Sequence, residues 1–203
     1  MISQDHIFSK SLLAGISIGA GCYLSLMCSN SVIGYVLFSI GFICCTLFDL
    51  NLFTDKSGFL SDNRDLRRLI LVLLLNLFAA FFAGLISKLL SSSIVDSVNE
   101  LLVSRANQDY LSCMIKSLIA GFLMTASFES VNKQNPNHIV QILCVVGIVS
   151  TGCFHCVAEA FYYGVGTLSY MHPAMILHLL VVVIFNFIGC NLYNLLVNRS
   201  FIH

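Results

Sequence analysis

Lys10-Ser11-Leu12-Leu13-Ala14-Gly15 returns 106 positions later as Lys116-Ser117-Leu118-Ile119-Ala120-Gly121. In each copy a single cation opens an apolar run. Six matching residues in so apolar a chain can be accidental, but Ile33/Ile139, Leu37/Leu143, Gly41/Gly147 and Phe48/Phe154 keep the same offset. Asn76 and Asn186 follow at the slightly longer offset of 110. Together these matches indicate a duplicated unit.

The medium around that unit follows from composition. Of 203 residues, 58% are hydrophobic and only 10% charged, with a mean hydropathy of +0.90. A soluble domain carries about 25% charged residues, so this chain has too little charge to cover a water-facing surface, and its surroundings are lipid. Six apolar stretches lie at roughly 8–28, 32–53, 66–90, 110–131, 138–163 and 174–197. Each is near or above the ~20 residues needed to cross a ~30 Å hydrocarbon core. The expected fold is an all-α membrane protein, a single transmembrane domain over residues 1–203, with one three-helix repeat at about 8–90 and a second at about 110–197. The polar stretch Ser91–Asp109 reads as the connection between them. A three-span unit is odd-numbered, so the second copy enters the membrane from the opposite face, and the repeats are inverted around a shared pathway.

Six spans place both termini on one side. That side holds Lys10, Lys56, Arg64, Arg67, Arg68, Lys133 and Arg199, against Lys88, Arg105 and Lys116 on the other, so the termini are expected to be cytoplasmic. The first stretch, flanked by Lys10, has the outline of a signal peptide. It lacks a small-x-small cleavage site in the right place, and the repeat requires it. Trp is absent, leaving Tyr23, Tyr110, Tyr162 and Tyr163 to form the interfacial belts.

Several function classes are excluded. With zero net charge and no long basic run, nucleic acid is not an expected partner. Eight of the nine cysteines lie in or beside apolar runs, where they act as small hydrophobes. Cys153, His155 and Cys156 admit a metal reading, but nothing completes a tetrahedral set, so no metal or cofactor is expected. No nucleophile–base set or phosphate loop is present and the loops are short, which argues against an enzyme.

Polar residues inside the stretches carry the chemistry. A charge at mid-bilayer costs at least ~2.5–3.5 kcal/mol, so it faces a cavity or a partner. The fifth stretch contains Gly152-Cys153-Phe154-His155-Cys156-Val157-Ala158-Glu159, with Glu159 one turn beyond His155 and placed to share its face and pair with it. The second contains Phe48-Asp49-Leu50-Asn51-Leu52-Phe53-Thr54, and the 106-residue offset sets Asp49 opposite His155. Small and polar residues interrupt both runs, so breaks are expected there. Lys10 and Lys116 begin equivalent helices on opposite sides, one cation at each mouth. Blander readings stand beside these: both lysines snorkel to headgroups, His155 is hydrogen-bonded inside a bundle, Asp49 and Glu159 lie near the membrane surface, and Asn76 and Asn186 join helices.

These residues resemble the formate/nitrite transporter family. Leu52-Phe53-Thr54 is similar to that family's Asp/Glu-Leu-Phe-Thr loop, which breaks the second helix. Gly152-Cys153-Phe154-His155-Cys156-Val157-Ala158-Glu159-Ala160-Phe161 resembles Gly-Phe-Glu-His-Ser-Val-Ala-Asn-Met-Phe in the broken fifth helix. Asn186-Phe187-Ile188-Gly189 and Asn76-Leu77 resemble segments of the last and third helices, and the likeness runs from Lys10 to about Leu196.

The resemblance implies an aquaporin-like protomer with broken second and fifth helices, assembled as a homopentamer in a bacterial cytoplasmic membrane. It implies that His155 lies between two apolar constrictions, the inner one formed by Leu52 and Phe53 and the outer one including Phe38. Thr54 and Asn186 would contact the histidine region or the substrate, and Lys10 and Lys116 would draw anions into the vestibules. The implied activity is proton-assisted passage of a small monovalent weak-acid anion such as formate, nitrite or hydrosulfide, with Glu159 as a further relay residue. Three departures bear on that activity: Phe154 replaces the family's Glu, Glu159 its Asn, and Asp55 a common Gly. Two other classes stay open, a passive channel for small neutral solutes and a non-transporting membrane subunit. The water-channel Asn-Pro-Ala pair is missing, since Asn135-Pro136-Asn137 falls in a loop.

Overall fold

Helix length decides how the six apolar stretches are used. The computed structural model describes residues 6–59, 63–131, 136–167 and 173–199, without the side chains of 59, 63, 64, 198 and 199. In chain order the helices are α1 (Ile7–Met27), α2 (Ser31–Leu47), α3 (Phe53–Lys56), α4 (Asn63–Leu90), α5 (Ser93–Ala106), α6 (Tyr110–Val131), α7 (His138–Ser150), α8 (Cys156–Val165) and α9 (Ala174–Arg199). A 3₁₀ turn, Ser57–Phe59, follows α3. Four helices, within Ile7–Met27, Asp65–Leu90, Tyr110–Val131 and Ala174–Val197, are long and apolar enough to cross a membrane. The second and fifth stretches are different: α2 has 17 residues and α7 has 13. At 1.5 Å per residue they reach only about 25 and 20 Å. Each stops short, unwinds, and resumes as α3 or α8.

Both stops are built the same way. At the end of α2, Asp49 takes φ 45°, its N–H donates to the Thr46 carbonyl (3.3 Å), and the Leu50 N–H donates to Cys45 (2.9 Å). At the end of α7, Gly152 takes φ 66°, its N–H donates to Val149 (3.1 Å), and the Cys153 N–H donates to Ile148 (2.9 Å). These are paired Schellman caps, whose left-handed residue is cheapest as glycine and tolerable as Asp.

The caps correct the register read from sequence. Asp49 corresponds to Gly152, an offset of 103, so the residue matching His155 is Leu52 and not Asp49. Helix α7 is four residues shorter than α2, so the offset is 107 at the N-caps Asn30 and Asn137 and 103 at the breaks. The offset is 106 at neither end, so the Ile33/Ile139, Leu37/Leu143, Gly41/Gly147 and Phe48/Phe154 matches are coincidental in register.

Buried asparagines hold each break open. The Asn76 Oδ1 accepts from the Phe53 N–H (2.8 Å), while its Nδ2 donates to the carbonyls of Ser11 (2.8 Å) and Asn51 (3.0 Å). The Asn186 Oδ1 accepts from the Cys156 N–H (2.9 Å), and its Nδ2 donates to Ser117 and Phe154 (both 2.8 Å). Each amide thus satisfies an orphan N–H at the start of a half-helix and ties three segments together. The repeated hexapeptide now has a physical meaning. Ser11 and Ser117 supply the carbonyls, and a Cβ on Gly15 or Gly121 would strike the backbone carbonyl of Asn76 or Asn186.

Each post-break segment packs into the other half: α8 against α4 and α1, and α3 with its 3₁₀ turn against α6 and α9. Outward-facing Leu74, Phe78 and Ile86 on α4, with Ile176, Leu180 and Ile184 on α9, are exposed apolar side chains suited to lipid. Residues 91–109, read as a polar stretch connecting the repeats, contain the helix α5. Its Ile94, Val98 and Leu102 are buried at spacings of four, a helical stripe masked by the charges between them. Of the cations used for orientation, Lys133 and the side chains of Arg64 and Arg199 lie outside the described residues.

Candidate substrate pathway

His155 stands immediately before α8 as its N-cap residue, in extended backbone (φ −115°, ψ 118°). Its ring is buried, and Nε2 lies 3.0 Å from the Thr54 Oγ1, 101 positions earlier. The two breaks therefore meet through this one side-chain hydrogen bond. The imidazole sets its edge against Phe42 (5.2 Å, 76°), which tilts against Phe38 (5.4 Å). Leu52, Phe53, Thr54 and Phe38 are all buried, and His155 Nδ1 has no hydrogen-bond partner among the described residues. Asn186, bonded to the residues on either side of His155, fixes the backbone that carries the ring. Asn51, not singled out from sequence, is buried with neither side-chain amide atom partnered among the described residues.

A cavity of about 350 Å³ opens on the Nδ1-bearing residue; its lining includes Tyr35, Phe38, Arg105, His155, Glu159 and Tyr162. Here the sequence reading needs correction. Glu159 does not pair with His155: only the backbone joins them, the Glu159 N–H donating to the His155 carbonyl (3.0 Å). The Glu159 carboxylate instead forms an ion pair with Arg105 of α5, both side chains being largely buried (1% and 13% exposed). The Arg105 guanidinium lies 5.1 Å from the Phe154 ring centroid and 4.8 Å from that of Tyr162. Tyr162, expected in an interfacial belt, is thus a wall of this cavity. Arg105 was legible only as a loop charge, yet it stands three residues beyond Leu102 and continues the buried stripe of α5.

The two lysines expected at the vestibules, Lys10 and Lys116, differ from one another. Lys10 is 2.9 Å from Asp49, which is also 3.6 Å from Lys56, itself 2.8 Å from Asp55. Its charge is matched within a neutral four-residue cluster, and the exposed Asp49 belongs to that cluster rather than to the histidine. Lys116 has no ion pair among the described residues and sits over the Phe154 ring at 5.6 Å. Phe154 thus receives two cations on its π-system, and its edge meets the buried His178 (5.0 Å), which bonds to the Tyr163 hydroxyl (3.1 Å). Among the described residues no group of three His, Cys, Asp or Glu is disposed to hold a metal ion.

Comparison with known proteins agrees with this geometry at the level of fold. The family described as formate/nitrite transporter matches residues 1–200. A solved structure titled "FNT family ion channel" superposes with a TM-score of 0.83 at 17% identity, covering 96% of this chain and 89% of the other. A second, titled "Pentameric formate channel with formate bound", gives a TM-score of 0.69 at 18% identity, covering 97% and 93%. No curated protein sequence matches the chain.

Proposed function

Because the chain belongs to the formate/nitrite transporter family, a family of membrane channels and transporters, we propose that it passes a small monovalent weak-acid anion, with formate, nitrite and hydrosulfide as candidates. Proposed with it are two inverted three-helix repeats forming an aquaporin-like protomer, a homopentameric assembly in a bacterial inner membrane, and cytoplasmic termini. The paired caps and asparagine anchors support the repeat, and the pentameric formate channel of similar fold supports the assembly.

One observation carries the transport reading: the His155–Thr54 contact at 3.0 Å, between the two helix breaks and beside buried Leu52, Phe53 and Phe38. A bare anion entering such apolar surroundings loses its hydration at large cost. An acid of pKa ~4 is neutralised at pH 7 for three units, or roughly 4 kcal/mol. Borrowing a proton is the cheaper route. His155 is placed to lend one, with Nε2 held by Thr54 and Nδ1 unpartnered. The anion takes that proton, crosses Leu52 and Phe53 as the neutral acid and releases the proton beyond them, while His155 regains a proton from water on the entry side, so one anion and one proton move together per cycle.

The test is flux into proteoliposomes across a panel of weak-acid anions at two pH values. Substituting His155→Phe is expected to reduce anion-coupled proton uptake about a hundredfold, or ~2.7 kcal/mol of barrier. Unchanged uptake in that variant removes the relay. Flux that ignores pH and admits only neutral solutes favours a passive channel.

A further inference from the structure

The cavity beside His155 contains a charged pair that the relay does not use. Arg105 and Glu159 are both largely buried, come from different helices, and face a space of about 350 Å³. At ~30 Å³ per water, that volume exceeds the needs of an anion with three heavy atoms. The pair is not saturated. Glu159 Oε2 and Arg105 Nε are buried without hydrogen-bond partners among the described residues. Two cations, Arg105 and Lys116, lie over the Phe154 ring, and of these Arg105 pairs with Glu159 while Lys116 has no ion pair among the described residues. A guanidinium presents parallel N–H donors that match the two oxygens of a planar oxyanion.

From this arrangement we infer that Arg105 is the anion-binding residue of the cavity and that Glu159 is its resident competitor, a tethered carboxylate that an incoming small carboxylate or similar planar oxyanion displaces. The inference rests on the transport reading and narrows it. It favours formate- or nitrite-like substrates over hydrosulfide, which has no second acceptor for the fork. The phenyl ring of Phe154 in place of a family carboxylate is consistent, since an acid there would be a second competitor for the same guanidinium.

The experiment measures initial formate uptake against formate concentration in proteoliposomes of the full chain, for the wild type, Glu159→Gln, Arg105→Gln, Arg105→Lys and the double variant Arg105→Gln/Glu159→Gln. Removing the competitor is expected to lower the half-saturating formate concentration about tenfold, the size of one charge-assisted hydrogen bond. Arg105→Gln is expected to raise it about tenfold, and Arg105→Lys to raise it less. If Glu159→Gln does not assemble because a lone guanidinium is left buried, the electroneutral double variant reports instead, and it should behave like Arg105→Gln. An unchanged half-saturating concentration with only the maximal rate reduced would make the pair a structural pin between α5 and α8 and overturn the inference, leaving the transport reading intact. A wild type that moves neither formate nor nitrite overturns the transport reading itself.

Discussion

The break after α2 and the break after α7 share one scaffold and differ in chemistry. Each has a Schellman cap, a buried asparagine from a long helix, and a serine carbonyl from the hexapeptide. At the equivalent position one carries Leu52 and the other His155; the residue before is Asn51 in one and Phe154 in the other. The two irregular backbones thus share a frame, and the side chains at their tips differ within it. On the transport reading proposed above, an apolar tip opposite a titratable tip would give the pathway a direction, one break presenting a barrier and the other a group able to change the charge of what arrives.

If the frames are equivalent, they should fail equally. Asn76→Ala and Asn186→Ala each remove three buried hydrogen bonds and strand the groups they served, at ~1–3 kcal/mol per unsatisfied group. Both variants are expected to lose at least about 3 kcal/mol, read as lower thermal stability of the detergent-purified protein or lower membrane yield. A large loss for one and a negligible loss for the other would break the equivalence.

A smaller effect distinguishes the caps. Gly152→Ala places a Cβ at φ 66°, which costs ~1–2 kcal/mol in the left-handed region. Asp49→Gly removes that strain from the other cap but also removes the partner of Lys10, so the two changes offset to within about 1 kcal/mol. Comparing the midpoints of thermal unfolding for these two variants sharpens the comparison. A Gly152→Ala protein as stable as the wild type would mean that the cap geometry is not held in solution.

How much was legible beforehand depended on whether a feature was local. Long apolar runs, the hexapeptide and the histidine motif are contiguous, and they led to the long helices, the breaks and the family. Asn76 and Asn186 were visible as a pair, though their bonding to three segments each was not. Register failed because one offset was extended through a helix that had lost a turn, which no residue marks. The Arg105–Glu159 pair was hidden for another reason. It joins residues 54 positions apart through α5, whose stripe of Ile94, Val98 and Leu102 lies in a stretch read only as a polar connection, with Asp96 and Glu100 between its members. Pairing Glu159 with its i−4 neighbour was the best local choice, and a non-local partner won.

The smallest expected effect concerns the two lysines that open the hexapeptides. They are equivalent in sequence and unlike in surroundings, Lys10 in a neutral cluster with Asp49, Lys56 and Asp55, and Lys116 against an aromatic ring beside a second cation. Substituting Lys10→Gln leaves Asp49 with Lys56 and alters an exposed pair worth ~0.2–1 kcal/mol. Lys116→Gln removes a cation that has no ion-pair partner among the described residues, so more of its field reaches an approaching anion. Initial anion uptake should therefore fall more for Lys116→Gln than for Lys10→Gln, and the gap should narrow as added salt screens both. Equal losses at low ionic strength would mean that the cluster does not neutralise Lys10, and that the two mouths attract anions alike despite their different neighbours.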